Sequence, residues 1–442
     1  MTNLNKLKGI KNKILEDAHF FEVLKKGGGA FLFKIFGAGL AFLFTIYFAR
    51  LLGPDDYGIF ILSLTIVTVL SVIVRMGLDV VLMKNIAVAM GRKEYAAARG
   101  YHQSVTHIVI YASAFVTLFV VLTLPYVSDA FFWKQDFSRQ LSHMIWCLLP
   151  LSLMMLNVEA LRGLREITTS VMVQNIIVPG SSLLMLLILG RWYSWNLDGV
   201  VYIYVISIII ASIYSRWCWN NRIHVGDVIK QKKLQLIEKG FPLLLASSGG
   251  LVMSWTDTLV LGVYGSSENV GVYSVAAKTA MLTSIVLFAV NSISAPKYAA
   301  FFAANNIKGI ARLARQSTLF MLALVLVPSL VFLLWPQWIL KLYGVEYSVG
   351  ATVLLILTVG QLINVACGSV GYILMTSGHE KIVRNIMMTT ALINVFLNIQ
   401  LVQVFGIEGV AISTMVSVAI WNIWMLLSVK KYLGFWTFYN SY

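Results

Sequence analysis

Twelve stretches of roughly twenty residues, each overwhelmingly apolar, constrain this chain more than any motif it carries. They fall near 29–49, 58–79, 104–127, 144–161, 170–190, 198–219, 241–263, 271–292, 316–335, 350–375, 382–404 and 408–429. A helix needs about 20 residues to cross the hydrocarbon of a bilayer, so the pattern predicts an all-α polytopic membrane protein of about twelve transmembrane helices. Barrel strands would be about ten residues long with alternating polarity. Composition agrees, since 59% of the 442 residues are hydrophobic and 12% charged, where soluble domains average about 45–50% and roughly 25%.

The formal charge of +15 would suggest nucleic acid in a soluble protein, but its placement is topological. With the N-terminus in the cytoplasm, 26 of the 34 Lys and Arg fall on cytoplasmic segments, five on the other side and three within spans, as the positive-inside rule requires. Both termini are then cytoplasmic, and nucleic acid drops out as a partner. The segment 1–28, with Leu4, Leu7, Ile10, Ile14 and Phe21 at helical spacing among lysines, predicts an amphipathic helix lying in the interface. Cys147, Cys218 and Cys367 form no CxxC and lie in or beside apolar runs, so they predict packing residues rather than disulfides or metal ligands.

The chain also repeats itself. LLGPDDYGIF at 51–60 matches VYGSSENVGVY at 263–273, pairing Gly53 with Gly265 and Gly58 with Gly271. The register continues at an offset of 213 through Lys84 and Lys297, Arg99 and Arg312, Gln103 and Gln316. RGLRE at 162–166 lies against SGHEK at 377–381, and LDGV at 197–200 against IEGV at 407–410. The expected organisation is an N-lobe of six helices over 29–222, a cytoplasmic linker over 223–240, a C-lobe of six helices over 241–430 and a tail over 431–442. Six is even, so the lobes insert in the same sense, related by an axis along the membrane normal with a central cavity between them.

ARLLGPDDYGIF (49–60), RMGLDVVLMKNIA (75–87) and EALRGLRE (159–166) together resemble bacterial oligosaccharide-lipid flippases of the Wzx type. These belong to the polysaccharide transporter family of the multidrug/oligosaccharidyl-lipid/polysaccharide exporter superfamily. The resemblance covers essentially the whole chain. It implies alternating-access translocation of undecaprenyl-diphosphate-linked oligosaccharide, such as an O-antigen repeat unit for lipopolysaccharide, across the bacterial inner membrane. A polysaccharide polymerase and a chain-length regulator are the implied protein partners, and no cofactor is implied.

Ionisable groups inside a span cost about 2.5–3.5 kcal/mol on insertion scales and need a reason. Lys34, Arg75, Asp79, Glu159, Asp257 and Lys278 stand out, and the repeat gives most of them neutral counterparts: Ala246 for Lys34, Phe288 for Arg75, Ser292 for Asp79, Thr45 for Asp257 and Thr65 for Lys278. Such asymmetry favours function over scaffolding. Lys34, Arg75 and Lys278, on the first, second and eighth spans, suit a cationic cavity that binds a diphosphate. The resemblance supports this, because the related lipid II flippases carry cavity cations on the same three helices. Two other readings stand beside it: Lys34 and Arg75 lie near span ends, within snorkelling reach of headgroups, and Arg75 is spaced to pair with Asp79. Asp257 is either the ion-pair partner of Lys278 or an ion-coupling site for protons or sodium, on one helical face with Ser247, Gly250 and Ser254. Glu159 is expected to be solvated or paired with Arg162. Gly37 and Gly249, with Gly250, are candidates for hinges or for close helix packing.

No GxxxxGK[ST], HExxH or GxSxG occurs, and the six histidines lack metal-ligand spacing, so the expectation is a transporter rather than an enzyme. A multidrug cation antiporter of the same superfamily is the alternative, which acidic cavity residues would favour. A membrane enzyme of polysaccharide assembly, such as a polymerase, is the third reading.

Overall fold

A computed structural model describes residues 18–131, 135–190, 196–223, 226–229 and 231–438, and among these the chain is helical with no strand. The helices are α1 (Ala18–Arg75), α2 (Leu78–Gly91), α3 (Tyr95–Phe131), α4 (Gln135–Met144), α5 (Leu148–Gly163), α6 (Ile167–Met172), α7 (Val178–Leu189) and α8 (Leu197–Arg222). After the connecting segment come α9 (Lys233–Tyr264), α10 (Ser267–Met281), α11 (Ser284–Ala303), α12 (Ile307–Leu334), α13 (Pro336–Leu340), α14 (Ala351–Cys367), α15 (Val370–Thr376) and α16 (Glu380–Leu433). Nine helical segments among the described residues are long and apolar enough to cross a membrane, so the chain is a multi-pass membrane protein.

Two of those nine contain a pair of spans each. In α1 the helical path breaks at Gly53 (φ 72°), and in α16 at Gly406 (φ 57°). Both angles lie in the region glycine adopts without steric penalty, so each glycine folds two long arms into a hairpin with almost no loop. Elsewhere the helix starts follow side-chain chemistry. Asn196, Ser266 and Asn306 cap α8, α10 and α12 by accepting from the backbone N–H three residues on, at 3.0, 3.1 and 2.8 Å. In apolar surroundings a buried polar side chain needs a partner, and several meet one: Ser71 with Ser152 at 2.9 Å, and Asn157 to Ser215 at 3.0 Å.

The reading of 1–28 as a separate interfacial helix falls partly outside the described residues, which begin at 18. From Ala18 onward the helix is continuous with the first span. Within the segment expected to join the lobes, 223–240, α9 starts at Lys233. The repeat register also shifts locally. Positive-φ turns at Lys93 and Asn305, each closing the same backbone hydrogen-bond pattern, correspond one residue short of the sequence register. Those at Arg165 and Gly378 correspond two residues away from the RGLRE/SGHEK pairing. Turn geometry overrides residue identity there, since Gly378 provides at no cost the left-handed backbone that Arg165 adopts.

Candidate transport cavity

The lobes meet most tightly through α1 and α10, and the reason is two absent side chains. A Cβ on Gly58 would lie 1.7 Å from the Ser267 carbonyl oxygen, and one on Gly271 would lie 2.0 Å from that of Pro54. Gly58 and Gly271 are repeat partners, so the contact is nearly self-symmetric. Around it, Arg50 Nε donates to the Leu342 carbonyl at 2.6 Å, Tyr347 Oη to that of Ala49 at 3.2 Å, and Lys278 Nζ to Tyr57 Oη at 2.9 Å. At the other end of the bundle the lobes touch again: a Cβ on Gly77 would lie 2.3 Å from the Gly240 carbonyl oxygen, and Lys34 Nζ sits 3.0 Å over the Phe288 ring.

Between these contacts lie two chambers. The N-lobe chamber, about 550 Å³, is lined by Lys34, Gly37, Thr45, Gln174, Asn175 and Tyr204 among apolar residues, with Lys278 reaching in from the C-lobe. The C-lobe chamber, about 530 Å³, is lined by Ser254, Trp255, Asp257, Gln361, Asn364 and Trp421 among others. Leu64, Thr68, Lys278 and Met281 line both, so the chambers are halves of one cavity divided by the α1–α10 contact.

Lys34 and Lys278 thus share a chamber, and Arg75 is in neither lining. The α1 helix ends at Arg75, and the left-handed pair Met76 and Gly77 swings α2 back. That turn sets Asp79 2.6 Å from the largely buried Arg75, whose Nε also donates to the Ser71 carbonyl at 3.1 Å. Of the readings given for Arg75, the structure shows the pairing with Asp79. Glu159 pairs with Arg162 at 2.5 Å.

Asp257 and Lys278 do not pair. The buried Asp257 carboxylate accepts from Tyr273 Oη at 2.5 Å, Thr414 Oγ1 at 2.8 Å and Asn398 Nδ2 at 2.9 Å. Asn398 also reaches Asn394 Oδ1 at 3.1 Å. The cluster is incomplete, because the buried Asn398 Oδ1 and Asn394 Nδ2 have no protein partner, an arrangement costing about 1–3 kcal/mol per group. Sequence reading missed Tyr273, Asn394, Asn398 and Thr414. The signal was present in Asn394 and Asn398, two amides one helical turn apart in an apolar span.

Gly37 serves close packing. A Cβ there would lie 2.8 Å from Asn175 Cβ, and Asn175 sits in a π-helical turn, Val173–Ile177, that carries Gln174 and Asn175 at the chamber wall. Gly249 and Gly250 pack on Met388 and Met387. They also follow a 69° bend between Lys233–Leu244 and Gly249–Tyr264.

The described helices form a repeated, two-lobed membrane bundle around a largely apolar cavity that carries two lysines and a few amides and hydroxyls. The family model described as polysaccharide biosynthesis protein matches residues 23–297, and the chain belongs to that family. A second model, MatE, matches 242–399. The probable low-salt glycan biosynthesis flippase Agl15 of Haloferax volcanii is 23% identical over 403 residues, covering 88% of this chain and 80% of that protein. Two solved structures share the fold at 14% identity. Lipid II flippase MurJ in an inward closed conformation has a TM-score of 0.73, with 90% of this chain and 87% of that one covered. An inward-facing multidrug resistance MATE family transporter has a TM-score of 0.71, with 89% and 94% covered.

Proposed function

We propose that this protein is a flippase for a lipid-linked oligosaccharide, working by alternating exposure of the two-chambered cavity. The observation that carries the reading is Lys278, which stands at the divide, lines both chambers and is held by Tyr57 of the other lobe. With Lys34 it forms a cationic wall suited to a diphosphate. Ser284 and Asn364 both donate to Gln361 Oε1, at 2.5 and 3.3 Å, which leaves amide groups and the Trp255 and Trp421 faces for a glycan in the C-lobe chamber. The polyprenyl tail stays in lipid between the lobes. Rocking that parts Gly58 from Gly271 exposes the site on one side, and parting Gly77 from Gly240 exposes it on the other. The Agl15 relative supports a glycan flippase, and the MurJ likeness supports the fold for one.

In its finer form the substrate is an undecaprenyl-diphosphate-linked repeat unit such as that of O-antigen. The membrane is the bacterial inner membrane, with both termini cytoplasmic, and the polymerase and chain-length regulator act downstream. Asp257, with Asn394, Asn398 and Thr414, is the coupling site for a proton or sodium ion, the unpartnered Asn398 oxygen being a ready ligand. Among the described residues the N-lobe chamber lining holds two lysines and no carboxylate, which favours an anionic substrate over the cationic drug of an antiporter.

The test is the surface-glycan profile of a deletion strain complemented at matched membrane levels with wild type, Lys278→Ala and Asp257→Asn. Accumulation of cytoplasm-facing lipid-linked single units, unrescued by Lys278→Ala, is the expected result. Single units that reach the outer face but are not polymerised would instead identify an assembly enzyme.

A further inference from the structure

A third cavity, of about 310 Å³, lies outside the transport path, between α3, α8 and the segment that joins the lobes. Arg99, His102, Gln103, His107, Arg216 and Asn220 supply its polar wall, and no carboxylate is among the described residues lining it. Arg216 is fixed there by a buried relay. Its guanidinium can only donate, so the 3.1 Å contact to His102 Nδ1 makes that nitrogen the acceptor. His102 Nε2 must then donate to Asn157 Oδ1 at 2.9 Å, and Asn157 Nδ2 donates to Ser215 at 3.0 Å. Trp219 stacks on the imidazole at 4.2 Å. A neutral histidine in one tautomer thus holds a surface arginine in one orientation.

The opposite wall belongs to the connecting segment. Arg99 Nε donates to the Asp227 carbonyl at 2.9 Å, Ile229 N donates to that of Ala96 at 3.2 Å, and Gly226 and Val228 close the floor. Two rows of exposed apolar side chains run up to this cavity: Tyr111, Phe115, Leu118 and Phe119 on α3, and Ile206, Ile210, Ile213 and Trp217 on α8. Their helical spacing marks faces that meet lipid tails.

We infer that this cavity binds the phosphate of an anionic phospholipid, held between Arg99 and Arg216 while its acyl chains lie along α3 and α8. Basic pockets between spans at the membrane surface have the chemistry for such headgroups. Because one wall is N-lobe and the other is the lobe connection, an occupied site fastens that connection to the N-lobe, favouring whichever transport state has it docked.

The experiment is native mass spectrometry of the full chain released from detergent with an equimolar mixture of phosphatidylglycerol and phosphatidylcholine. Wild type is expected to retain phosphatidylglycerol selectively, and Arg216→Gln to retain about tenfold less, as loss of one charge-assisted contact implies. Asn220→Asp keeps every bond described and adds one negative charge to the cavity, so it should also lower retention. Arg312→Gln, at the C-lobe position that the repeat pairs with Arg99, should not. Equal retention by wild type, Arg216→Gln and Asn220→Asp would overturn the proposal. So would displacement of the lipid by millimolar inorganic phosphate, which would make the ligand a free anion.

Discussion

Replacing Gly58 or Gly271 with alanine attacks the contact that holds one end of the cavity shut. The added methyl at Gly58 would sit 1.7 Å from the Ser267 oxygen and 2.9 Å from the Gly271 nitrogen, and that at Gly271 2.0 Å from the Pro54 oxygen. These neighbours are helix backbone, which cannot rotate away, so α1 and α10 must part by roughly 1.5 Å before ordinary contact is restored. Overpacking of this kind costs about 1–3 kcal/mol. The cost falls only on states in which the lobes meet at this end, so it moves the conformational equilibrium rather than the fold. Taking about 2 kcal/mol, the population open at the Gly58 end rises about 30-fold. The assay is maleimide labelling of Thr68→Cys, which lines both chambers, in a background lacking the three buried native cysteines, with reagent added from the Gly58 end. Labelling should accelerate by that factor in each single variant. In the double variant it should accelerate by less than the product, because one separation relieves both clashes. Unchanged labelling in both single variants would refute a closure built on these glycines.

Arg75→Gln should lower the amount of folded protein, because it leaves Asp79 with only the Val80 N–H as a partner among the described residues, at a cost of about 1–3 kcal/mol for an unmet charged group that is partly solvated. The double variant Arg75→Gln with Asp79→Asn should recover most of it, as thermal unfolding in detergent would read. Gly37→Ala should lower the unfolding temperature by several degrees through its clash with Asn175, while Gly39→Ala, with nothing within 4 Å of the new methyl, should hold or raise it. Tyr57→Phe keeps the ring and removes the partner of Lys278. Translocation in vesicles should fall about tenfold while thermal stability holds, and Lys278→Met should abolish translocation.

The fold was legible in the sequence because hydrocarbon leaves a chain few choices. Backbone groups in lipid must be satisfied within their own helix, so apolar length translates directly into spans. Candidate site residues were legible for the same reason, charge in a span being expensive. Their partners were not. Whether Arg75 faces the cavity or Asp79 depends on the left-handed turn at Met76 and Gly77, and a non-glycine residue at φ 47° leaves no mark in composition. Asp257 and Lys278 looked like a pair by depth alone, yet packing gives each its own tyrosine, Tyr273 and Tyr57. Tyrosine in an apolar helix reads as packing until the fold shows what its hydroxyl meets.

The sequence pairing and the structural contact say more together than either does alone. Two positions related by an approximate two-fold axis can touch each other only beside that axis, so the contact of Gly58 with its repeat partner Gly271 fixes where the axis runs. Lys278 lies seven residues along α10 from Gly271, about 10 Å of helix rise, and lines both chambers from that position. Its repeat counterpart Thr65 sits on the facing arm of α1 and lines the C-lobe chamber. A group beside the axis serves both halves in a single copy. A second lysine at position 65 would set two positive charges in the lining of one chamber, each costly in a low-dielectric setting. A lysine at 278 facing a threonine at 65 is therefore what the proposed anion site would require of two lobes that otherwise repeat one another.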